Sequence, residues 1–344
     1  MPGIDYMATC SPSQFNEQLI YLESSVQDVE YSVDWRQVCK NYCDFVDESQ
    51  QEAINQGLTK KLVVIQGPPR TGKTFTGLLI VKTLLQINSA GPILIICYTN
   101  RALDQFLEGI YECEKSLARM GSRTTSAILS KCTVDELMKS KKNKREPAIP
   151  KKLRSQLYRS SKDKKTRANA INYKCSNGFQ SRAELSNLSS SYALACSQAS
   201  QAKRNIQTYF LSKFKVLGMT TSFAARNHEL LTALKSEIMV VEEAAEVLEA
   251  QILGCLNPNI KHLILIGDHQ QLRPSVATPK LVETHKLDVS MFERMVSSGI
   301  EYKTLEVQRR MRPAISAPAV SAILIKTQKP PPFLLLYSVF YCVS

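Results

Sequence analysis

A short glycine-containing run carries the clearest chemistry in this 344-residue sequence. Residues 67–74 fit the pattern G-x-x-x-x-G-K-[ST], and they stand between an apolar run and a helical pattern. In that context, backbone N–H groups of the loop and of the helix N-terminus bind phosphate oxygens. Lys73 is expected to reach the β- and γ-phosphates of a nucleotide, and the Thr74 hydroxyl is expected to ligate Mg²⁺. The predicted nucleotide-binding residues are Gly67, Pro68, Pro69, Arg70, Thr71, Gly72, Lys73 and Thr74.

Arg70 is unusual in such a loop, because a small residue there would let the backbone approach the phosphates. If the position requires a positive φ, an arginine costs about 1–3 kcal/mol of backbone strain. We therefore expect Arg70 to lower the affinity for nucleotide.

Acidic and amide side chains follow two other apolar runs. Glu242 and Glu243 come directly after residues 238–241, and Gln271 lies in the polar segment that follows residues 263–266. Carboxylates at the carboxyl end of a parallel strand face the crevice in which such sheets bind ligands. One of the two glutamates is expected to hold Mg²⁺ through water, and its neighbour to orient or deprotonate an attacking water.

The elements that must position these groups are short, buried strands alternating with helices. Most of the apolar runs lack the polar alternation of a half-exposed sheet, so they predict parallel strands covered on both faces, an α/β fold. The predicted strands are Leu62–Gln66, Ile93–Tyr98, Val216–Thr220, Ile238–Val241 and Leu263–Ile266. The predicted helices include Gly72–Ile87, Arg101–Glu112 and Ala244–Leu253.

A polar, basic segment interrupts this pattern from about Lys115 to Lys213 and shows no obvious buried strand. We interpret it as a partly helical insertion that projects from the sheet domain. Residues 139–167 contain 13 basic and two acidic residues, whereas the rest of the chain has a net charge of only +2 out of +13. Such a segment is typical of a protein that binds the phosphate backbone of nucleic acid. A solvated loop and a nuclear-localisation signal are the alternatives.

Composition excludes several classes of protein. A mean hydropathy of −0.17 and ordinary Gly and Pro contents exclude collagen-like, wholly disordered and membrane-embedded chains. No apolar run approaches the roughly 20 residues that span a bilayer, and residues 1–10 lack the features of a secretory signal. We expect an intracellular protein, cytoplasmic or nuclear, with no membrane partner. Its ten scattered cysteines fit reduced thiols better than a zinc site.

Taken together, six further segments resemble motifs of the superfamily 1 helicases, and more narrowly of their up-frameshift group. The likeness is greatest to the large NFX-type zinc-finger helicases and covers roughly residues 47–313. The segments, in chain order, are Asp47-Glu-Ser-Gln50, Cys97-Tyr-Thr-Asn-Arg-Ala-Leu-Asp-Gln-Phe106, Gly218-Met-Thr-Thr-Ser222, Glu242-Glu-Ala-Ala-Glu246, Gly267-Asp-His-Gln-Gln-Leu-Arg-Pro274 and Gln308-Arg-Arg-Met-Arg-Pro313.

This resemblance implies a RecA-like P-loop NTPase domain that uses ATP and Mg²⁺ and acts as an ATP-dependent helicase or translocase on RNA, or on DNA. It implies that Gln50 reads adenine and that Gln271 and Arg310 sense the γ-phosphate. Glu242 would help to hold Mg²⁺, and Glu243 would activate the attacking water. The residues expected at the nucleic-acid backbone are Thr99, Asn100, Thr220 and Thr221. RNA is favoured because the nearest-looking relatives act on RNA.

The sequence departs from the family in two ways. Glu242 stands where the wider family usually has Asp, and the chain ends soon after the last of the six motifs, before a complete second RecA-like domain. We therefore expect nucleotide binding with slow or no turnover. The expected divisions are an N-terminal flanking segment (1–44), a RecA-like domain in two parts (45–114 and 214–300), the insertion (115–213) and the start of a truncated second domain (301–344). A non-catalytic nucleic-acid-binding module or an inactive fragment is the alternative; an unrelated ring-forming P-loop ATPase fits the motifs less well.

Overall fold

The structure is a computed structural model that describes residues 34–87, 91–121, 123–140, 150–177, 182–308 and 326–327. The strands are β1 (Leu62–Gln66), β2 (Ile93–Cys97), β3 (Leu117–Arg119), β4 (Val216–Thr220), β5 (Ile238–Glu242), β6 (His262–Gly267), β7 (Lys303–Thr304), β8 (Val307–Gln308) and β9 (Lys326–Thr327). The α-helices are α1 (Trp35–Val38), α2 (Glu48–Thr59), α3 (Lys73–Ile87), α4 (Asn100–Tyr111), α5 (Val134–Ser140), α6 (Lys151–Asn177), α7 (Arg182–Leu211), α8 (Thr221–Arg226), α9 (His228–Leu234), α10 (Glu249–Leu253), α11 (Pro279–His285) and α12 (Met291–Ser297). Short 3-10 helices cover Lys40–Phe45, Leu129–Cys132 and Ala244–Glu246.

Seven parallel strands form the central sheet in the order β3-β4-β2-β5-β6-β1-β7. The register pairs Leu62 of β1 with Leu263 of β6, and Cys97 of β2 with Glu242 of β5. Because the strands are parallel, their carboxyl ends lie at one edge, so the phosphate-binding loop after β1 and the acidic residues after β5 share that edge. The predicted α/β fold with a parallel sheet is confirmed.

Both faces of the sheet are buried. Val63 and Ile65 belong to the hydrophobic cluster on one face, and Val64 belongs to the cluster on the other. This alternation explains why the central strands read as continuous apolar runs, since neither set of side chains meets water. Part of the N-terminal flanking segment also packs here, because Trp35 and Cys39 are buried in the first cluster.

Three sequence predictions differ from the structure. The segment 115–213 contains a buried strand, β3, which pairs with β4 at the edge of the sheet. Residues 244–253 do not form one helix, because a 3-10 turn ends at Glu246 and the extended Val247 separates it from α10. Finally, residues 303–304 pair with β1 and complete the first sheet instead of opening a second domain.

The predicted helical character of the insertion is confirmed by α6 and α7, of 27 and 30 residues. Lys174 of α6 lies 2.7 Å from Glu184 of α7, and Arg167 Nη1 donates to the Ser191 carbonyl at 3.2 Å. The earlier residue of α6, Arg167, contacts the later residue of α7, Ser191, and Lys174 contacts Glu184. The two helices therefore run antiparallel and form a hairpin. None of the described helices is both long and apolar enough to cross a bilayer.

Candidate nucleotide site

The phosphate-binding loop links the end of β1 to the first turn of α3. A Cβ atom at Gly67 would lie 2.0 Å from Lys73 Cγ, so only glycine lets the lysine side chain fold back across the loop. Gly72 has φ +86°, and a Cβ there would meet Gln50 Nε2 at 2.8 Å. The Thr71 hydroxyl closes the loop by donating to the Pro68 carbonyl at 2.8 Å. The shape of the loop is therefore set by these contacts within the protein.

Arg70 adopts the left-handed backbone conformation that the sequence analysis anticipated, with φ +67°. Its side chain is exposed, and no described acidic side chain forms an ion pair with it. The arginine thus combines a strained backbone with an unneutralised charge in the loop that is predicted to bind phosphates.

Thr74 and Glu242 are in direct contact at the carboxyl edge of the sheet. The Thr74 hydroxyl donates to Glu242 Oε1 at 2.6 Å, while Glu242 Oε2 is buried and has no hydrogen-bond partner among the described residues. Burial, together with the neighbouring Glu243 charge, raises the pKa of Glu242 to about 7.

A magnesium ion suits this arrangement. A hydroxyl oxygen and an unsatisfied carboxylate oxygen are hard ligands of the kind that Mg²⁺ takes, and Mg²⁺ completes its shell with phosphates and water. No cluster of three or more His, Cys, Asp or Glu side chains with metal-binding geometry occurs in the described ranges. With Thr74 and Glu242 as protein ligands, a magnesium ion here would take its other ligands from the phosphates of a bound nucleotide and from water.

Lys73 lies beside the second glutamate of the pair. Its Nζ is 3.6 Å from Glu243 Oε2, and the lysine side chain is only 11% exposed. Glu243 has φ +55°, and this left-handed residue ends β5. Successive strand residues normally point to opposite faces, so the turn at Glu243 explains how both glutamates contact the start of α3.

Asp268 links the end of β1 to the segment after β6 and was given no role from the sequence. Its Oδ1 accepts from Gln66 Nε2 at 3.2 Å, and its Oδ2 accepts from Gln271 Nε2 at 2.6 Å. Gln271 Nε2 also lies 3.4 Å from the Gly67 carbonyl, so the predicted γ-phosphate sensor touches the phosphate-binding loop. Asp268 is 2% exposed. A role for Asp268 could have been predicted from the sequence, because it is an acidic residue directly after a buried strand.

Gln50 supports the loop from the other side. It closes a capping box with Asp47 at the start of α2, and its Nε2 donates to the Thr71 carbonyl at 3.0 Å. The residue is 1% exposed. Gln50 therefore bonds to the phosphate-binding loop itself in this structure, and its contact with adenine stays a prediction.

The four residues predicted to contact nucleic acid differ in accessibility. Thr99 is exposed and caps α4 through its hydroxyl, and Asn100 Oδ1 accepts from Arg119 Nη2 at 2.9 Å. Thr220, which ends β4, is partly exposed. Thr221 is fully buried, so its burial disagrees with a surface contact.

A buried ion pair holds Asn100 in place. Arg119 of β3 is fully buried, and its Nε donates to Asp104 Oδ1 at 2.6 Å. Asp104 Oδ2 in turn accepts from the Thr124 hydroxyl at 2.7 Å. The network ties α4, the edge strand and the loop after it into one unit, and the sequence analysis missed it. Arg310 lies outside the described residues, so its predicted role stays untested.

Comparison with known proteins identifies the fold's relatives. A protein family described as an AAA domain matches residues 46–279, which include the whole nucleotide site. The NFX1-type zinc finger-containing protein 1 of Mus musculus is 28% identical over 484 aligned residues, covering 79% of this chain and 25% of the relative. These matches confirm the resemblance to the up-frameshift-like group of superfamily 1 helicases.

Two relatives from Schizosaccharomyces pombe agree with this placement. The ATP-dependent helicase upf1 is 29% identical over 281 residues, which cover 79% of this chain and 26% of that protein. The helicase required for RNAi-mediated heterochromatin assembly 1 is 25% identical over 415 residues, which cover 78% of this chain and 41% of that protein. The chain thus spans between about a quarter and two-fifths of the length of these relatives.

Proposed function

The chain belongs to the AAA-domain family, and we propose that it is an ATP-dependent helicase domain that couples ATP hydrolysis to the remodelling of nucleic acid, RNA in preference to DNA. The observation that carries this proposal is the meeting of Thr74 and Glu242 at 2.6 Å, with Lys73 and Glu243 beside them. A phosphate-binding loop alone would support only nucleotide binding. A paired carboxylate at its helix also supports hydrolysis.

The residues have distinct roles in this mechanism. The loop N–H groups and Lys73 bind the β- and γ-phosphates, and Thr74 and Glu242 hold Mg²⁺. When bound, Mg²⁺ neutralises charge that develops on the transferring phosphoryl group. The phosphates draw Lys73 away from its ion pair with Glu243. The freed Glu243 carboxylate then orients the attacking water and accepts its proton.

Coupling to nucleic acid runs through two neighbouring segments. Gln271 bonds to both Asp268 and the Gly67 carbonyl, so loss of the γ-phosphate changes the contacts of the segment after β6. Thr99 and Asn100 follow β2, and Thr220 is the last residue of β4 in the same sheet; all three present polar groups to a nucleic-acid backbone. Arg310 would add a cation at the γ-phosphate, the position at which an arginine raises rates by roughly 10³–10⁵ in related phosphoryl transfer.

RNA-stimulated ATP hydrolysis tests this proposal. Steady-state hydrolysis of ATP by the whole chain is measured with and without single-stranded RNA, beside Lys73→Ala. We expect slow hydrolysis that RNA stimulates and that Lys73→Ala abolishes. Hydrolysis that persists unchanged in Lys73→Ala would contradict the assignment of this loop as the catalytic site.

A second function is favoured by Arg70 and its positive φ. If the backbone strain at Arg70 makes the loop bind ATP weakly, the chain would be a nucleic-acid-binding module without turnover. That alternative predicts RNA affinity that is unaffected by Lys73→Ala and independent of ATP.

A further inference from the structure

The outward face of α6 carries cations that no described acidic side chain neutralises. Seven basic residues of this helix are exposed: Lys151, Lys152, Arg154, Arg159, Lys162, Lys164 and Lys165. The helix contains a single acid, Asp163, and its carboxylate pairs with Arg167 at 3.1 Å. Among the described residues, none of the seven cations forms an ion pair, so α6 presents an uncompensated positive charge.

These cations lie mainly on the side of α6 that faces away from α7. Contacts of Arg167 and Lys174 with α7 define the inner side, and the partly buried Leu153 and Leu157 lie on that same side. On the opposite side, residues recur at steps of three and four along the helix and therefore form one face. We name this set the basic face: Lys151, Arg154, Tyr158, Lys162 and Lys165.

The basic face is a row of side chains along the helix axis, with an aromatic ring at its middle. Lys151 and Lys165 are about 21 Å apart along the axis at 1.5 Å per residue. Tyr158 is 69% exposed between the two pairs of cations. Arg154 and Lys162 stand four residues before and after it. A strand of nucleic acid laid along the helix would meet cations at both ends and a ring between them.

Like charges three residues apart destabilise a helix, and here two such pairs, Lys151 with Arg154 and Lys162 with Lys165, lie on the same face. A polyanion relieves this repulsion when it binds. A lipid surface suits the face poorly, because membrane-bound helices bury Leu, Phe or Trp and the basic face has none. Tyr158 favours a single strand, since an unpaired base can stack on the ring whereas the bases of a duplex are already stacked.

The part of the hairpin that carries the basic face packs against the sheet domain. By the antiparallel register that Lys174–Glu184 and Arg167–Ser191 define, residues 151–165 lie beside the middle and the C-terminal part of α7. There Ile206 and Phe210 are buried, and Arg204 lies 3.1 Å from Glu229 of α9. The basic face therefore lies on the anchored half of the hairpin and not at its tip.

We propose that the basic face of α6 is a binding surface for single-stranded nucleic acid, separate from Thr99, Asn100 and Thr220. Phosphates contact Lys151, Arg154, Lys162 and Lys165, and one base stacks on Tyr158. The surface has no sequence preference, because no side chain there reads base edges. This inference rests on the proposed function for its ligand, nucleic acid. Binding at the basic face itself requires no ATP.

The test is the salt dependence of RNA binding without nucleotide, measured by fluorescence anisotropy on a labelled single-stranded RNA. The variant K151Q/R154Q/K162Q/K165Q is compared with the unchanged chain. A control of equal charge, K40Q/K131Q/K213Q/K280Q, removes four exposed lysines elsewhere. Since each phosphate contact on a single strand contributes about −0.7 to the slope of log K against log salt, the basic-face variant should flatten the slope by roughly 3. The control should keep the original slope.

Two further arms complete the test. Tyr158→Ala should weaken binding of the single strand while leaving the salt slope unchanged, and it should not affect binding of a duplex. Lys73→Ala should leave the salt slope of RNA binding unchanged. A loss of ATP hydrolysis can therefore be distinguished from a loss of RNA binding at the basic face. Equal losses in the two quadruple variants, or an unchanged slope in the basic-face variant, would overturn the proposal. Binding to anionic vesicles that falls with the same four cations would overturn it in favour of a lipid ligand.

Discussion

The Thr74 hydroxyl donates a 2.6 Å hydrogen bond to Glu242 Oε1, which joins the first turn of α3 to the end of β5. These residues are 168 positions apart in the chain. The sheet brings them together because β1 and β5 both end at the same edge and are separated only by β6. The fold thus brings together the two residues that the proposed function assigns to Mg²⁺.

Removing the Thr74 hydroxyl should weaken binding of ATP with Mg²⁺ more than binding of ATP alone. We expect Thr74→Ala to lower affinity about tenfold in Mg²⁺, roughly the loss of one bond to a charged group, and to change it little in EDTA. Calorimetric titration in both buffers measures this difference. Thr74→Ser keeps the hydroxyl and should behave like the unchanged chain; an equal loss for Ser and Ala would show that shape, not the oxygen, matters.

Replacing Arg70 by glycine should stabilise the protein. The arginine has φ +67°, and glycine adopts this conformation without the Cβ clash, so Arg70→Gly should raise the free energy of unfolding by about 1 kcal/mol. It should also strengthen ATP binding. Arg70→Ala removes the charge but keeps the strain, and should not raise stability. Urea unfolding of the unchanged chain and the two variants measures these stabilities. Equal stability of the Gly and Ala variants would show that the backbone at position 70 is not strained.

Stability should fall as the solution becomes mildly acidic, because of His262. This residue is 3% exposed at the start of β6, and burial lowers its pKa to about 4 from 6.5. Between these values the unfolded chain binds a proton that the native state excludes. The contribution is fully present above pH 6.5 and is lost by pH 4, about 3 kcal/mol in all.

Urea unfolding across this pH range measures the effect. His262→Gln cannot titrate there, so its stability should vary less with pH than that of the unchanged chain by this amount. Parallel pH profiles for the two proteins would show that other groups control acid stability.

Breaking the buried pair of Arg119 and Asp104 should be far more damaging than replacing both residues. Asp104→Ala leaves the guanidinium uncompensated in the core, and we expect a loss of about 3–5 kcal/mol. The double variant Arg119→Met/Asp104→Leu removes both charges and should recover most of that loss. A double-mutant cycle by thermal unfolding measures the coupling. Additive losses would mean that the pair stabilises nothing beyond its separate contacts.

The sequence was sufficient to predict the strands whose side chains are buried on both faces of the sheet. The limits of β1 and β4 agree with the predicted Leu62–Gln66 and Val216–Thr220. Each is an apolar run of strand length covered on both faces, as central strands of a parallel sheet are. The loop at 67–74 could also be predicted from the sequence, because Gly72 has a positive φ and Gly67 lies against Lys73 of the same loop.

The sequence failed where a distant partner decides the structure. Strand β3 is three residues long and includes a buried arginine, whose charge is compensated by Asp104 of the distant helix α4. Residues 244–253 contain helix-favouring Ala and Leu, yet Leu248 forms a strand bridge with Ser290 and interrupts the helix. No local pattern reveals either partner. Thr221 is likewise buried in α8, which packs against the distant helix α10.

The most direct test of the nucleotide site is equilibrium binding of ATP with Mg²⁺, measured by calorimetry on the whole chain and on Lys73→Ala. Lys73 reaches across the loop toward Glu243, and no other lysine belongs to the phosphate-binding loop. The account predicts one ATP per chain and an affinity at least about tenfold weaker in the variant, which corresponds to about 1.4 kcal/mol. Equal affinity in the two proteins, or no binding by the unchanged chain, would contradict it.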